Sequence, residues 1–402
     1  MEKIIKKVQM PLSENVLSAM EILKKRGFEA YVVGGCVRDF LMGKKPHDFD
    51  MTTNALPEEI IEAFDGYTLI TAGVKHGTVA VMINKEKIEI TTYRIDGEYN
   101  DNRHPDSVTF SSFLRDDTLR RDFTMNALAY SDSEGIVDFN GGISDISDKI
   151  IRAVGEPQKR FEEDALRIMR AIRFSCTLGF EIEEKTARKA YECSKLLKNI
   201  SAERICEEMD KLLTGFLAGD CINKNNTVFS VIIPEVFPMS ETKIRALNSK
   251  YVNPVVSYAM LFDGLDSETA TKLCCFLKFS NERKKKVLAL LSCENIPKTK
   301  IETKMYLKTF GVETAQDFLT YKSAYGFDVT KAEKCVQEIV GNNECYSLKQ
   351  LAISGSDLIS LGITNGEKIG KILSDTLLKV IGGELENKKE SLIKYVNDFL
   401  NI

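Results

Sequence analysis

Two carboxylates lie close together in the segment PHDFDMTT, where Asp48 and Asp50 are separated by Phe49. In a strand, alternate side chains point to the same face, so both acids would share one face while Phe49 and Met51 point to the other. Like charges held side by side repel each other unless a cation lies between them. Carboxylate oxygens with open positions suit Mg²⁺ that carries a phosphate substrate. The pair therefore predicts a metal site with Asp48 and Asp50 as ligands.

Glycines and an arginine lie shortly before this pair. Gly34 and Gly35 follow the apolar run Tyr31–Val33, which is typical of a buried strand, and Arg38 comes next. Glycines let the backbone approach an anion closely, and arginine pairs with phosphate. A short helix over Cys36–Met42 would aim its free N–H groups at the same anion. The segment as a whole predicts a site for a phosphate compound with its metal.

A second polar cluster is RRDFTMNA, residues Arg120–Ala127. The pattern predicts a helix over Leu119–Tyr130, on which Asp122 and Asn126 would share a face. Asp and Asn side chains can accept from and donate to the vicinal hydroxyls of a ribose, and Arg121 could meet a triphosphate. The alternative is a helix cap with a local salt bridge, and these residues alone favour that alternative.

A third cluster, FEEDALRIMRAIRF, carries a charge at every third position: Asp164, Arg167, Arg170 and Arg173. On one helix they would form a slowly turning stripe. Asp accepts hydrogen bonds only and Arg donates only, so a fixed Asp164/Arg167 pair would accept cytosine and adenine and reject guanine and uracil. Arg170 and Arg173 would then face phosphates or a second base position. The alternative is an i,i+3 ion pair between Asp164 and Arg167.

Two other features lie near the aspartates. Glu89 lies in a predicted strand, and whether it is a third acid of the site or an exposed strand residue stays open. His47 followed by Asp48 resembles an HD metal motif, but the other ligands of that motif are missing at helical spacing. The HD interpretation is therefore set aside.

The elements that must position these clusters alternate along the first part of the chain. The patterns predict helices over Ser13–Arg26 and Pro57–Phe64, and strands over His76–Ile83, Lys87–Tyr93, Gly135–Phe139 and Ile150–Val154. From Pro157 onward helical spacing dominates. The predicted fold class is α+β, with a mixed β-sheet and helices in the head and helical domains after it.

Composition limits the class of protein. The chain has 402 residues, 43% hydrophobic and 28% charged, with a net charge of −4, which is typical of soluble globular proteins. Nucleic-acid binding would therefore need local basic patches. The ten cysteines form no CxxC pair, which favours free thiols in a reducing cytoplasm. No signal-peptide core or membrane-spanning run occurs, so we expect a cytoplasmic protein without a membrane partner.

The three clusters, in this order and spacing, resemble those of the class II (bacterial and eukaryotic) tRNA nucleotidyltransferases, the CCA-adding enzymes of the DNA polymerase beta superfamily. The resemblance is specific over about residues 31–181 and weaker over the terminal segment Ile353–Leu373. It implies Mg²⁺ ligands at Asp48 and Asp50, and a Glu163 that orients Arg167. The nucleotide-binding residues that it implies are Gly35, Arg38, Arg121, Asp122, Asn126, Asp164, Arg167, Arg170 and Arg173.

The resemblance also implies substrates, partners and domains. CTP and ATP would be the substrates, and tRNA would be held by its acceptor stem and T arm. The expected domains are a nucleotidyltransferase head (1–153), a neck with the base-reading motif (154–218), a body (219–341) and a tail (342–402). Candidate tRNA contacts are the basic segments Arg283–Lys286 and Lys298–Lys304 with Lys368 and Lys371.

Related activities remain as alternatives. Residues Tyr93–Asp106 resemble the full flexible loop that members adding only CC lack, which favours addition through the terminal A. We expect the segment Arg94–Arg115 to take part in the change from C to A addition. Members that add only A, and poly(A) polymerases, share the head. The latter usually carry a long basic C-terminal extension, whereas the last segment here, LENKKESLIKYVNDFLNI, has mixed charge, so we expect poly(A) synthesis less. A noncatalytic RNA-binding protein is the alternative of another class, and the joint presence of the acids and arginines argues against it.

Overall fold

The structure, a computed structural model, describes residues 3–46, 48–97, 107–249 and 253–400. It divides into two compact units, Met1–Phe237 and Pro238–Ile402, which we call the N-terminal unit and the C-terminal unit. Within the described ranges, no helix is long and apolar enough to cross a membrane. All ten cysteines are free thiols.

Strands occur in the N-terminal unit. They are β1 Ile4–Lys6, β2 Tyr31–Val33, β3 Asp50–Thr53, β4 Thr68–Ile70, β5 Thr78–Ile83, β6 Glu86–Thr92, β7 Arg94–Asp96, β8 Val108–Phe110, β9 Leu128–Ser131, β10 Gly135–Asp138, β11 Ile150–Ile151 and β12 Glu181–Ile182. An eight-stranded sheet has the order β1-β10-β9-β2-β3-β6-β5-β4, and β3 and β6 are its parallel pair. This mixed sheet, with the helices around it, confirms the predicted α+β class.

The helices of the N-terminal unit alternate with the strands along the chain, and after β12 only helices follow in this unit. They are α1 Glu14–Lys25, α2 Gly35–Leu41, α3 Pro57–Ala63, α4 Leu114–Leu119, α5 Gly142–Ser147, α6 Pro157–Glu163, α7 Leu166–Leu178, α8 Glu184–Glu192, α9 Ala202–Leu213, α10 Ala218–Lys224 and α11 Asn226–Phe229. The predicted helices over Ser13–Arg26, Cys36–Met42 and Pro57–Phe64 are confirmed as α1, α2 and α3.

Alternation along the central strands separates the two faces of the sheet. Val32 and Met51 belong to the large core that also contains α1 and α3 residues. Tyr31 and Val33 belong to a smaller cluster with Tyr93. Because side chains alternate along a strand, Asp50 lies on the opposite face of β3 from the buried Met51.

The predicted helix over Leu119–Tyr130 is wrong. In the structure α4 ends at Leu119, a single 3₁₀ turn covers Thr124–Asn126, and β9 begins at Leu128. Every residue from Asp122 to Tyr130 is buried. Hydrophobic periodicity distinguishes helix from strand only where one face is exposed, so the pattern carried no usable signal here.

The single helix expected over Phe161–Phe174 is also wrong, because the chain breaks between α6 and α7. Asp164 has φ −142° and ψ 102°, which is extended backbone. Its Oδ1 atom accepts a hydrogen bond from the Leu166 backbone N–H at 3.1 Å. A short Asp side chain that bonds a nearby backbone N–H competes with helix, as it does at helix N-termini. Asp164 is therefore not part of the helical stripe formed by Arg167, Arg170 and Arg173.

The predicted loop between the first two clusters is partly structured. β7 and β8 pair antiparallel, with Asp96 opposite Val108. The rest of the loop expected over Tyr93–Asp106 lies outside the described residues from position 98 onward.

The C-terminal unit is helical throughout its described residues. Its helices are α12 Glu241–Leu247, α13 Pro254–Phe262, α14 Ser267–Phe276, α15 Asn281–Ser292, α16 Lys300–Ala324, α17 Thr330–Gly341, α18 Gly355–Ser360, α19 Gly366–Gly382 and α20 Lys389–Leu400. A kink divides α16 at Gly311, whose φ of 78° and ψ of 170° suit glycine. A separate core near the end of this unit contains Leu358, Ile372 and Leu392.

Candidate active site

Asp50 is the first residue of β3 and Asp48 lies two residues before the strand; both are exposed. Asp50 is paired in register with Val33 of β2 on one side and with Glu89 of β6 on the other. The glycine turn after β2 and the acids at the start of β3 are therefore neighbours in space. The alternation of polar and apolar residues in the sequence predicted that Asp50 would be exposed and Met51 buried.

The charge around Asp50 suits a bound cation. Local desolvation raises the pKa of Asp50, and the negative charges of Glu89 and Asp48 raise it further. The Arg121 guanidinium and Lys87 act in the opposite direction but do not cancel the rise. A carboxylate crowded by like charges is stabilised when a divalent cation binds. Asp48 and Asp50 therefore have the donor chemistry that a Mg²⁺ site requires.

Glu89 lies beside Asp50 on the adjacent strand, but its carboxylate accepts a hydrogen bond from the Lys87 Nζ atom at 2.8 Å. The part of the chain that the structure describes contains no group of three or more His, Cys, Asp or Glu side chains arranged to hold a metal. The candidate metal site thus consists of two aspartates, which leaves coordination positions for water and phosphate oxygens.

The glycine turn brings backbone close to an arginine. Gly34 has φ 84° and ψ −134°, and its N–H donates to the Leu128 carbonyl at 3.2 Å. A Cβ atom at this position would lie 3.2 Å from the Nη1 atom of Arg121. Helix α2 begins at Gly35 without a side chain that caps its free N–H groups. The turn therefore offers backbone donors next to a guanidinium, as an anion site requires.

Arg121 is held by a buried carboxylate that sequence analysis missed. Asp117 is fully buried and accepts from Arg120 at 2.6 and 2.9 Å and from Arg121 at 3.2 Å. Burial alone would raise the pKa of Asp117, but the two guanidinium groups lower it overall. The Nε atom of Arg121 is buried and has no hydrogen-bond partner among the described residues. The part of Arg121 that lies beside the glycine turn is instead its Nη1 atom.

Asp122 and Asn126 are in contact, although not on an α-helix. The Asn126 amide donates to Asp122 Oδ1 at 3.0 Å, and the second carboxylate oxygen accepts twice from Arg170, at 2.9 and 2.6 Å. Burial alone would raise the pKa of Asp122, but Arg170 and Asn126 lower it to about 2. Asp122 thus joins the second cluster to the third.

Arg38 extends this network to the first cluster. It donates to the Asn126 side-chain oxygen at 2.8 Å and to Asp39 at 2.7 and 2.9 Å. Its guanidinium lies 5.1 Å from the centre of the Phe174 ring, and that of Arg173 lies 3.8 Å from the same centre. Cations over an aromatic face are held electrostatically. The three clusters that sequence analysis singled out are therefore physically connected.

Helix α9 supplies two further partners. Glu208 is buried and accepts from Arg173 Nε at 2.5 Å, with Arg170 at 3.8 Å. Arg204, one turn earlier, contacts Asp164 with both terminal nitrogens, at 3.2 and 2.9 Å. Sequence analysis missed both residues. Their i,i+4 spacing on an amphipathic helix was visible, but nothing in the sequence indicates partners 35 and 40 positions away.

Asp164 and Arg167 do not pair with each other, so the alternative of a simple i,i+3 ion pair is wrong. Arg167 donates to the Glu163 carboxylate at 2.7 Å, which is the contact expected of an orienting Glu163. It also donates to the backbone carbonyls of Arg160 and Arg120, both at 3.0 Å. The Arg167 side chain is thus fixed from three sides.

Comparison with family models matches most of the chain. Residues 30–152 match the poly A polymerase head domain. Residues 179–224 match the RNA and SrmB binding site of polymerase A. Residues 255–396 match tRNA nucleotidyltransferase domain 2. The head match contains the acids, the glycine turn and the Asp122 cluster described above.

Individual relatives cover nearly the whole chain. A CCA-adding enzyme of Lactococcus lactis is 36% identical over 97% of this chain and 98% of its own length. The crystal structure of the Bacillus stearothermophilus CCA-adding enzyme in complex with CTP is 30% identical, with a TM-score of 0.83 over 96% of this chain and 97% of that one. A Thermotoga maritima CCA-adding enzyme complexed with tRNA shares the fold, with a TM-score of 0.65 over 96% of this chain and 94% of that one at 21% identity.

Proposed function

This chain belongs to the family of CCA-adding enzymes, the tRNA nucleotidyltransferases, and from that premise we propose that it adds C, C and A to the 3′ end of tRNA from CTP and ATP without a nucleic-acid template, by two-metal-ion nucleotidyl transfer. The observation that carries the proposal is the exposed Asp48/Asp50 pair with the Arg121 guanidinium close to it and to the glycine turn. A metal-bound triphosphate has the charge pattern that complements these three side chains.

The two aspartates hold the metal in this proposal. Asp48 and Asp50 would hold Mg²⁺, whose charge would make the attacking 3′-hydroxyl easier to deprotonate and would neutralise the triphosphate and the departing pyrophosphate. The chain itself contributes position and charge. Arg121 presents its Nη1 group to the triphosphate beside the glycine turn, the backbone at Gly34 and Gly35 admits a phosphate at close range, and Asp117 keeps Arg121 oriented.

The proposed ribose contact falls to Asn126, because the buried Asp122 carboxylate already accepts from the Phe123 N–H, from Asn126 and twice from Arg170. Asp122 and Arg38 hold the Asn126 side chain in place. We also assign Arg170 and Arg173 the role of nucleotide contacts. Asp122 pairs with Arg170 and Glu208 pairs with Arg173, and these acids balance the charge of the two arginines. This network rigidifies the site before the nucleotide arrives, which lowers the entropic cost of orientation.

Choice of base is assigned to Asp164 and Arg167. An acceptor and a donor held in fixed positions match the amino group and ring nitrogen that cytosine and adenine share. Arg167 is fixed by Glu163 and two carbonyl groups, and Asp164 is fixed by Leu166 N–H and Arg204. Protein groups therefore hold the Asp164 and Arg167 side chains in position, and no nucleic-acid template is needed for this.

Replacing Asp164 with alanine is expected to reduce the preference for CTP over UTP, and for ATP over GTP, by roughly 10- to 100-fold, the value of one hydrogen bond to a charged group. Addition of C and of A should both slow. The measurement is kcat/KM for each of the four nucleotides on tRNA that lacks its 3′ end. Asp65→Ala, an exposed acid in the turn after α3, is the matched control. An unchanged preference in the Asp164 variant would contradict the base-reading role.

The C-terminal unit supplies the proposed tRNA contacts, but many of its basic residues already have acidic partners. Lys300 and Lys304 both pair with Glu344, at 2.5 and 2.9 Å. Lys371 pairs with Glu367 at 2.7 Å. Lys286 likewise contacts Glu282 and Glu313. The Lys371–Glu367 pair is exposed on both sides and therefore weak, so a phosphate can replace the carboxylate as the partner of Lys371. Lys304 and Glu344 are more shielded from solvent.

A further inference from the structure

Two cysteines meet where helices of the N-terminal unit pack together. Cys176 lies in the last turn of α7, and Cys221 lies in the middle of α10, which packs against α7. The two side chains are hydrogen-bonded to each other. The Cys176 thiol also donates to the Leu212 carbonyl, near the end of α9, at 3.3 Å. The two sulfur atoms are therefore neighbours, and neither belongs to the candidate active site.

The chain before α10 fits closely around the Cys176 sulfur. A Cβ atom at Gly215 would overlap the Cys176 Sγ atom and would lie 3.0 Å from the Leu212 carbonyl oxygen, so glycine is needed for this close approach. Cys176 has no exposed surface, whereas Cys221 keeps 9% of its surface accessible. A small solute therefore reaches Cys221 first, with the Cys176 sulfur next to it.

The contact makes the two thiols unequal. The hydrogen bond with Cys221, together with burial, raises the pKa of Cys176. The hydrogen bond from Cys176 lowers the pKa of Cys221, although burial acts in the opposite direction. Because the thiolate is the nucleophile in cysteine chemistry, the more accessible Cys221 is also the more reactive of the two. Cys176 keeps its proton until its neighbour has reacted.

We propose that Cys176 and Cys221 form a redox modification site, at which a hydroperoxide oxidises Cys221 and Cys176 then closes a reversible disulfide that links α7 to α10. The Cys221 thiolate attacks one oxygen of the hydroperoxide, so that an S–O bond forms, the O–O bond breaks and hydroxide or alkoxide leaves. The Cys176 sulfur then attacks the Cys221 sulfenic acid. An S–S bond forms, the S–O bond breaks, and the leaving oxygen departs as water with the Cys176 proton.

The electrons and atoms of this reaction balance. The two thiols lose two electrons and two protons, and with hydrogen peroxide as the oxidant these produce two molecules of water. A thiol reductant reverses the change by exchange through a mixed disulfide. The site therefore needs a peroxide and a reductant, but no metal and no further cofactor.

The disulfide would act on the nucleotide site through α7. That helix carries Arg167, Arg170 and Arg173, and Arg173 lies one turn before Cys176. A disulfide holds its sulfur atoms about 2 Å apart, so α7 and α10 must approach each other from hydrogen-bond distance. A shift of about 1 Å in a positioning group can slow catalysis by roughly a hundredfold. This consequence rests on the proposed function, whereas formation of the disulfide does not.

The test treats the reduced full-length protein with hydrogen peroxide, alkylates the remaining thiols and maps the peptides by mass spectrometry. A peptide pair joined through Cys176 and Cys221 should appear and should disappear after dithiothreitol. The rate of C addition to tRNA that lacks its 3′ end should fall by about tenfold or more with the linkage and recover with the reductant. Cys275→Ser, which removes an exposed thiol of α14, is the matched control and should respond as the parent does.

Single variants test the order of attack. In Cys176→Ser, peroxide should leave Cys221 as a sulfenic acid that dimedone labels, because the second thiol is missing. In Cys221→Ser, peroxide should give no label at Cys176 and no loss of rate. Label at Cys176, or a loss of rate in Cys221→Ser equal to that of the parent, would overturn the inference.

Two results with the parent protein would also overturn the inference. One is the absence of a Cys176–Cys221 linkage at a peroxide concentration that oxidises the exposed Cys275, and the other is full linkage with an unchanged rate of C addition. If a variant does not fold, as judged by circular dichroism, the parent protein alone decides. If the protein adds no C even when reduced, the proposed function is wrong, and the peptide map still shows whether the disulfide forms.

Discussion

Replacing Asp50 with asparagine is expected to reduce nucleotide addition by roughly a thousandfold or more, equivalent to about 4 kcal/mol of transition-state stabilisation. Asparagine has nearly the same shape but carries no charge, so it leaves the strand intact and removes half of the negative charge that the two aspartates provide. The measurement is the rate of C addition to tRNA at a series of Mg²⁺ concentrations. The pKa of Asp50 is already raised by desolvation and by Glu89, so its charge is the sensitive component of the site.

Asp65→Asn is the matched control, because it removes one exposed carboxylate from the same unit without touching β3. Its activity should equal that of the unaltered protein. Asp65→Asn should unfold at the same temperature as the parent, and Asp50→Asn at no lower a temperature, because it removes a charge that the fold disfavours. Turnover in Asp50→Asn within about tenfold of the parent value would contradict the assignment of Asp50 as a metal ligand.

The second large effect is on stability. Replacing Asp122 with alanine is expected to lower the free energy of unfolding by about 3 kcal/mol, the lower end of the range for broken buried ion pairs. The buried Asp122 accepts two hydrogen bonds from Arg170, which would keep only the more distant Glu208 as an acidic partner. Asn126 would lose its anchor as well. Urea unfolding followed by circular dichroism measures the change, and a loss below about 1 kcal/mol would contradict the structural importance of the network.

The same pair gives stability a defined pH dependence. The pKa of Asp122 is lowered to about 2 in the folded protein, from an ordinary value of 3.8. Because the folded pKa is the lower one, the stabilisation by this group is fully present above pH 4 and is lost as the pH falls towards 2. The difference in unfolding free energy between the parent and Asp122→Ala should therefore be constant above about pH 5 and shrink below about pH 4.

Local patterns in the sequence were sufficient to predict the elements that carry the candidate site. The apolar run Tyr31–Val33, the glycines and the alternation around Asp50 each act within a few residues, where strand and turn chemistry follow from residue type. Those elements form as predicted in β2, α2 and β3. The contact between Asp122 and Asn126 was also anticipated, although a 3₁₀ turn rather than an α-helix produces it.

The residues that could not be predicted from the sequence are those whose contacts lie elsewhere in the chain. Asp117, Arg204 and Glu208 are ordinary charged residues of helices until the fold brings them to Arg121, Asp164 and Arg173. No local spacing encodes such pairs. The break at Asp164 has the same origin, since its side chain bonds both a neighbouring N–H group and a distant guanidinium. The separation of Asp164 from the helical arginines therefore needed the structure.

The most direct test of the account is the product made from a tRNA that ends at its discriminator base. Purified protein is incubated with this tRNA, Mg²⁺, CTP and ATP, without any other nucleic acid, and the 3′ end is sequenced. The account predicts the addition of C, C and A, and the addition of C residues only when ATP is omitted. Failure to incorporate CTP, or extension by A residues from ATP alone, would contradict it.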